Sequence, residues 1–337
     1  MSEFGDGTQH MPHLSASPYR PPVWLRSGHL QTIYPTLCRR VGGVAYRRER
    51  IELPDGDFVD VDWHRAGAPR AALILHGLES SSRSHYVLGM VRALGRRSWD
   101  VAALNFRSCS GEPNRLLRSY HSGDTGDAAV ILARMAATGY RDLALVGFSL
   151  GGNVTLKYLG ESPADLPDRL RVAAAVSVPC DLAASAHRLA RPTNRLYMRR
   201  FIRRLTGKIA AKAGRLPGQV QLADYAGITN FEEFDDRYTA PVHGFTSAAD
   251  YWARASCLPF LPAIRVPTLV LNALDDPFLT PACHPITAAA ANANLFLETP
   301  RWGGHVGFIQ PGGEYYHETR VGEFFEQTLP AVMGNGC

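Results

Sequence analysis

The stretch from Leu143 to Val154 constrains this chain more than any other. An apolar run, Leu143-Ala144-Leu145-Val146, leads into Gly147-Phe148-Ser149-Leu150-Gly151, and a helical pattern begins at Gly152-Asn153-Val154. A G-x-S-x-G pentapeptide between strand and helix marks a sharp, strained turn that lifts the serine hydroxyl above a sheet edge. Glycine is needed on both sides because strand and helix pass so closely that a Cβ would collide. The competing reading is an ordinary strand-to-helix turn, since glycine and serine are common turn residues. Two nucleotide-binding readings fail on the residues themselves. No Gly-Lys-Ser/Thr closes the loop as in a P-loop, and Ser149 stands where a G-x-G-x-x-G fingerprint needs glycine.

A serine hydroxyl is a weak nucleophile until a neighbouring base takes its proton. The rest of the chain offers candidates in the order Ser, Asp, His. Val266 to Asn272 reads as a buried strand, followed by Ala273-Leu274-Asp275-Asp276-Pro277. A carboxylate there can hold an imidazole in the correct tautomer and stabilise it once protonated. Asp276 is the preferred acid and Asp275 is read as a turn or capping residue. After a further strand, Asn294 to Glu298, comes Gly303-Gly304-His305-Val306-Gly307, so His305 is the candidate base. Earlier, Ala71 to Leu75 runs into His76-Gly77-Leu78. Backbone amides after such a strand and after the nucleophile can bind an oxyanion, which points to Leu78 and Leu150. His76 precedes the nucleophile on a different strand and is read as a loop-holding residue.

From Ala71 onward, short apolar strands alternate with helical patterns, the signature of a parallel sheet. Strands are expected at 71–75, 100–105, 142–146, 172–178, 267–272 and 294–298, with helices near 84–97, 124–138, 151–160, 284–292 and 314–329. Arg47 to Leu53 and Phe58 to Trp63 alternate around Pro54-Asp55-Gly56 and read as an antiparallel hairpin. The expected fold is therefore α/β: a doubly wound, mostly parallel sheet with antiparallel leading strands. Residues 21–180 and 262–333 would form its core, 1–20 a disordered lead-in, and Pro21 to Thr32 an irregular wrapping segment. The interval 181–261 breaks the alternation and suits a helical cap insertion.

Within that insertion, 196–205 reads as a basic amphipathic helix. A solvated charged face is one account, and contact with a membrane surface is the other. The net charge of +5 is mild and no concentrated basic stripe suits a nucleic acid. No apolar run reaches the ~20 residues of a membrane span. The six cysteines lack C-x-x-C spacing and the histidines lack H-E-x-x-H, so free thiols, a cytoplasmic protein, no metal and no cofactor are expected.

Gly28-His29-Leu30-Gln31-Thr32, His76-Gly77-Leu78-Glu79 and Asn105-Phe106-Arg107-Ser108-Cys109-Ser110-Gly111-Glu112-Pro113-Asn114 are distinctive stretches. With them the chain resembles the YheT-like branch of the α/β-hydrolases, which is related to ABHD-type lipid hydrolases. The resemblance runs from Gly28 to about Phe325 and implies that nucleophile, acid and base match Ser149, Asp276 and His305. It implies hydrolysis of carboxylic esters, with short- or medium-chain acyl groups or lipids as candidates. Thioester or amide cleavage and acyl transfer use the same machinery, and a non-catalytic binding module is the reading from another class. Ser80 and Ser108 stand where relatives carry glycine. The loop from Arg107 to Asn114 is read as structural, tied by hydrogen bonds.

Overall fold

The computed structural model describes residues 13–14 and 17–330. Among the described residues, the strands assemble into one nine-stranded sheet. The strands are β1 (His13–Leu14), β2 (Arg47–Glu52), β3 (Phe58–His64), β4 (Arg70–Leu75), β5 (Asp100–Asn105), β6 (Asp142–Phe148), β7 (Leu170–Val176), β8 (Thr268–Leu271) and β9 (Leu295–Glu298). Their order is β1-β9-β8-β7-β6-β4-β5-β3-β2, with β6 at the centre. Only the β2–β3 and β3–β5 pairings are antiparallel among the described residues. Every residue of β4, β5, β6 and β8 is buried, as a parallel sheet covered on both faces requires. That is why these strands read as continuous apolar runs, whereas β2 keeps only Ile51 buried.

Helices cover both faces. They are α1 (Gly28–Cys38), α2 (His85–Gly95), α3 (Gly126–Ala137), α4 (Leu150–Glu161), α5 (Leu182–Leu189), α6 (Arg195–Arg215), α7 (Phe231–Phe234), α8 (Ala240–His243), α9 (Ala248–Ala255), α10 (Ile286–Ala291) and α11 (Tyr316–Thr328). Met90 and Leu94 of α2 join Phe324 and Phe325 of α11 against Ile74 and Val146. Ile131 and Leu132 of α3 and Leu156 of α4 pack on Leu73 and Leu145 across the sheet. Helices α5 to α9 all fall between β7 and β8 and carry their own cluster, with Met198, Ile202 and Ile209 of α6 buried beside Phe234 and Tyr238.

Two expectations need correction. Pro21 to Thr32 is not irregular: a short 3-10 turn at Val23–Leu25 precedes α1. Its inward contacts are largely polar and distant in sequence, so no apolar periodicity announces the helix. Gln31 is fully buried, and its Oε1 accepts from the Tyr19 hydroxyl at 2.8 Å and the Ile309 amide at 3.1 Å. The lead-in expected over 1–20 is ordered where it is described, while residues 1–12 and 15–16 lie outside the described residues. His13 and Leu14 pair in parallel with Leu297 and Glu298, and Ser17 Oγ donates to Glu298 Oε1 at 2.6 Å. The tie is again a polar contact to a remote partner.

Burial also explains the loop after β5. Arg107 is almost fully buried, and its guanidinium meets Asp55, Asp57 and Asp127 at 2.7, 3.2 and 2.7 Å. A buried cation needs such compensation, so this loop is locked to the β2–β3 turn. Among the described residues, no helix is long and apolar enough to cross a membrane. Five cysteines are free thiols, and Cys337 lies outside the described residues.

Candidate active site

Strand β6 ends against the start of α4, and the turn between them is tight. A Cβ on Gly147 would lie 2.2 Å from Gly151 O, and one on Gly151 2.4 Å from Leu75 O. Ser149 sits between them at φ +53°, a left-handed conformation that side chains rarely adopt. Its amide donates to Val176 O at 2.9 Å, so the neighbouring strand holds the strained residue in place.

Ser149 Oγ lies 2.8 Å from His305 Nε2, and His305 Nδ1 lies 2.8 Å from Asp276 Oδ2. Asp276 has a fully buried side chain, and its other oxygen accepts from the Phe278 amide at 2.8 Å. The Phe278 ring stands 4.3 Å from the imidazole, centroid to centroid. Asp275 points elsewhere: its Oδ1 accepts from the Gly304 amide at 2.9 Å, in the loop that carries His305.

Helix α1 completes the support of that loop. Thr32 Oγ1 accepts from the His305 amide at 2.9 Å and donates to Gly28 O at 2.6 Å. Gln31 binds the amide of Ile309 farther along, and Ser177 Oγ accepts from that of Val306. Thr32, Gln31 and Ser177 were not singled out as site residues from the sequence. Only the distinctiveness of Gly28 to Thr32 hinted at a role for the first two.

The loop after β4 faces the serine. His76 is fully buried, with Nδ1 2.7 Å from Gly77 O, and its Nε2 accepts from the Phe106 amide at 3.2 Å. Burial pushes its pKa down to about 3, so it is a neutral loop brace. Leu78 and Leu150 line the same cavity as Ser149 and His305. Among the described residues, neither amide donates to a protein acceptor. Ser80 is tied into this loop by Tyr86, whose hydroxyl donates to Ser80 Oγ at 2.6 Å and accepts from the Gly77 amide at 3.0 Å. Ser108, at φ +63°, occupies a conformation that favours glycine, and its Oγ is bonded to Asn114.

Helix α6 reaches down to Glu79, itself at φ +54°. Lys208 Nζ and Arg204 donate to Glu79 Oε1 and O, each at 2.8 Å, and the Tyr120 hydroxyl donates to Oε1 at 2.8 Å. The residue next to Leu78 is thus clamped from above. Sequence reading missed this clamp because its halves lie 129 positions apart.

Asp275 yields a pH test. Burial raises its carboxyl to about 6, against the lowering effect of the Gly304 amide, and its Oδ2 is buried with no partner. A carboxyl raised on folding contributes stability at pH below its unfolded value, which is lost as pH rises through the folded value. Asp275→Asn keeps an acceptor for Gly304 and removes the charge. Its stability relative to wild type should therefore rise as pH climbs from about 4 to about 7. Urea unfolding at both ends checks this, and a pH-independent difference would contradict it.

A strand-turn-helix serine beside a histidine and a buried aspartate, at the carboxyl ends of a mostly parallel sheet, defines an α/β-hydrolase architecture. Residues 72–311 match the alpha/beta hydrolase fold family, and the chain belongs to it. Within the family it falls in the YheT-like branch related to ABHD-type hydrolases. It is 38% identical over 316 residues to "Putative esterase YheT" of Escherichia coli (strain K12), covering 90% of this chain and 91% of that protein. It is 28% identical to Phospholipase ABHD3 of Homo sapiens, covering 94% of this chain and 80% of that one. Among solved structures, the Pyrococcus furiosus esterase Pf2001 superposes with a TM-score of 0.58 at 18% identity, over 87% of this chain and 97% of that one. The last similarity bears on the fold alone.

Proposed function

We propose that the protein hydrolyses carboxylic esters through Ser149, His305 and Asp276. The observation that carries this reading is the continuous chain of contacts, 2.8 Å from Ser149 Oγ to His305 Nε2 and 2.8 Å from His305 Nδ1 to Asp276. In the mechanism, the Ser149 hydroxyl donates to His305 Nε2 while Nδ1–H donates to Asp276. Ser149 Oγ attacks the ester carbonyl as His305 takes the proton, and the Leu78 and Leu150 amides bind the oxyanion. The C–O bond to the alcohol breaks, and His305 returns its proton to the departing oxygen. Water then adds to the acyl-enzyme by the same steps. The esterase and phospholipase names of the relatives support the same bond class.

Leu182, Leu189, Leu205, Phe234 and Trp252, all from the insertion between β7 and β8, wall an apolar chamber at Ser149. We read this insertion as a cap and the chamber as the acyl site. Thioesters, amides and transfer to an alcohol acceptor remain within reach of the same machinery. Turnover of a p-nitrophenyl ester ladder from acetate to palmitate tests the reading. Turnover of at least one member that is lost in Ser149→Ala is expected, its chain length gauging the acyl chamber, and a folded protein inert on every member and unlabelled by a fluorophosphonate would favour the non-catalytic binding module.

Membrane contact is also supported by an observation, though not on 196–205 alone. Val23, Trp24 and Leu37 are 74%, 62% and 65% exposed, and Leu196 is 80% exposed. His29 Nδ1 lies 3.1 Å from the Tyr197 hydroxyl, which sets α1 beside the start of α6. The apolar face of such a surface would lie in the headgroup region with arginines around it.

A further inference from the structure

Ser149 and His305 open onto a second chamber, on the side of α1 and α2, whose walls differ in character from the apolar one. Arg39, Arg40, Arg83, Arg200, Arg204 and Lys208 line it, against the single carboxylate of Glu79. Arg39 is paired with Glu318 and Lys208 with Glu79. Among the described residues, Arg40, Arg83, Arg200 and Arg204 have no carboxylate partner within ion-pair distance, and Arg204 bonds only the Glu79 carbonyl. All four are exposed, so their guanidiniums stand free of carboxylates at the mouth of the chamber. Burial and then the neighbouring Arg204 and Arg203 hold the Arg200 guanidinium below its ordinary pKa. These cations come from three separate parts of the chain: the end of α1, the loop before α2, and α6. A solvated charged face of one helix would not draw them around the same opening.

We infer that this chamber receives the alcohol side of the ester and binds an anionic phosphate group carried on it. The inference rests on the ester-hydrolase reading and adds the charge of the leaving group. Guanidinium forks match phosphate oxygens bidentately, and an excess of several cations over one acid suits a group of up to two negative charges. With the acyl chain in the apolar chamber, the scissile carbonyl falls at Ser149, where the two chambers meet. Attack breaks the carbonyl–oxygen bond, His305 protonates the departing alkoxide, and the phosphorylated alcohol leaves through the basic mouth.

The test compares 1-octanoyl-glycerol 3-phosphate with 1-octanoyl-glycerol, both as dispersed monomers, in wild type and Arg83→Gln/Arg200→Gln. The phosphate ester is expected to have the higher kcat/KM by about tenfold at low ionic strength, mainly through KM. That preference should shrink with added salt and fall toward unity in the double variant. Glycerol 3-phosphate binding to Ser149→Ala, read by calorimetry, reports the anion site without turnover and should vanish on adding the two arginine substitutions. A parallel arm with bilayer vesicles of dioleoyl phosphatidylglycerol, compared with dioleoylglycerol in a neutral dispersion, separates the sources. Preference in the monomer arm assigns a soluble phosphorylated alcohol, and preference confined to vesicles assigns a lipid headgroup. Equal kcat/KM for the two esters, no preference in the vesicle arm and no glycerol phosphate binding overturn the inference while leaving the hydrolase intact. Anion binding without hydrolysis of either ester overturns the hydrolase reading instead.

Discussion

Ser149→Ala is expected to lower turnover of the best p-nitrophenyl ester by on the order of a millionfold, the scale seen when a triad nucleophile is removed. The substitution deletes only an oxygen at a position whose backbone is held by the Val176 carbonyl, so the fold should be unaffected. Thermal unfolding of the variant, measured beside its activity, separates lost chemistry from lost structure. A variant that folds normally and retains even a hundredth of wild-type turnover would exclude Ser149 as nucleophile.

Asp276→Asn should cost roughly ten-thousandfold in kcat. The buried carboxylate accepts from the Phe278 amide through one oxygen and lies 2.8 Å from His305 Nδ1 through the other. An amide in its place can present an N–H to Nδ1, which favours the tautomer with its proton on Nε2. That tautomer cannot accept the Ser149 proton. Asp275→Asn is the control, because Asp275 acts on the Gly304 amide and not on the ring. It should cost less than about tenfold. If Asp275→Asn had the larger effect, the acid would have been assigned to the wrong aspartate. The comparison is sharp because the two residues are adjacent in sequence and differ only in which loop atom they face.

Much of the architecture was legible because burial leaves a compositional trace. β4, β5 and β6 lie in a sheet covered on both sides, and each shows as an apolar run between polar turns. The hairpin β2–β3 showed by alternation around Pro54-Asp55-Gly56. α1 left no such trace: Leu30, Ile33 and Leu37 are exposed, while Gln31 is buried. A helix whose inward side is fixed by hydrogen bonds to Tyr19, His305 and Ile309 carries no amphipathic signal. β1 and Ser17 were hidden for the same reason, since two residues pairing with an edge strand carry little pattern.

The sequence by itself determined the strand-turn-helix around Ser149, the order of Ser149, Asp276 and His305 along the chain and the strands that precede them. These are local properties: two glycines spaced around a serine, apolar runs of strand length, and loops placed after them. Only the tertiary structure decided which aspartate faces His305, how α1 braces the histidine loop, and that Lys208 and Arg204 clamp Glu79 beside Leu78. It alone gathered arginines from three segments around one mouth of the site. Such contacts depend on the direction of single side chains and on partners more than a hundred residues away. A hydrogen bond or an ion pair takes shape only once folding has set donor and acceptor face to face.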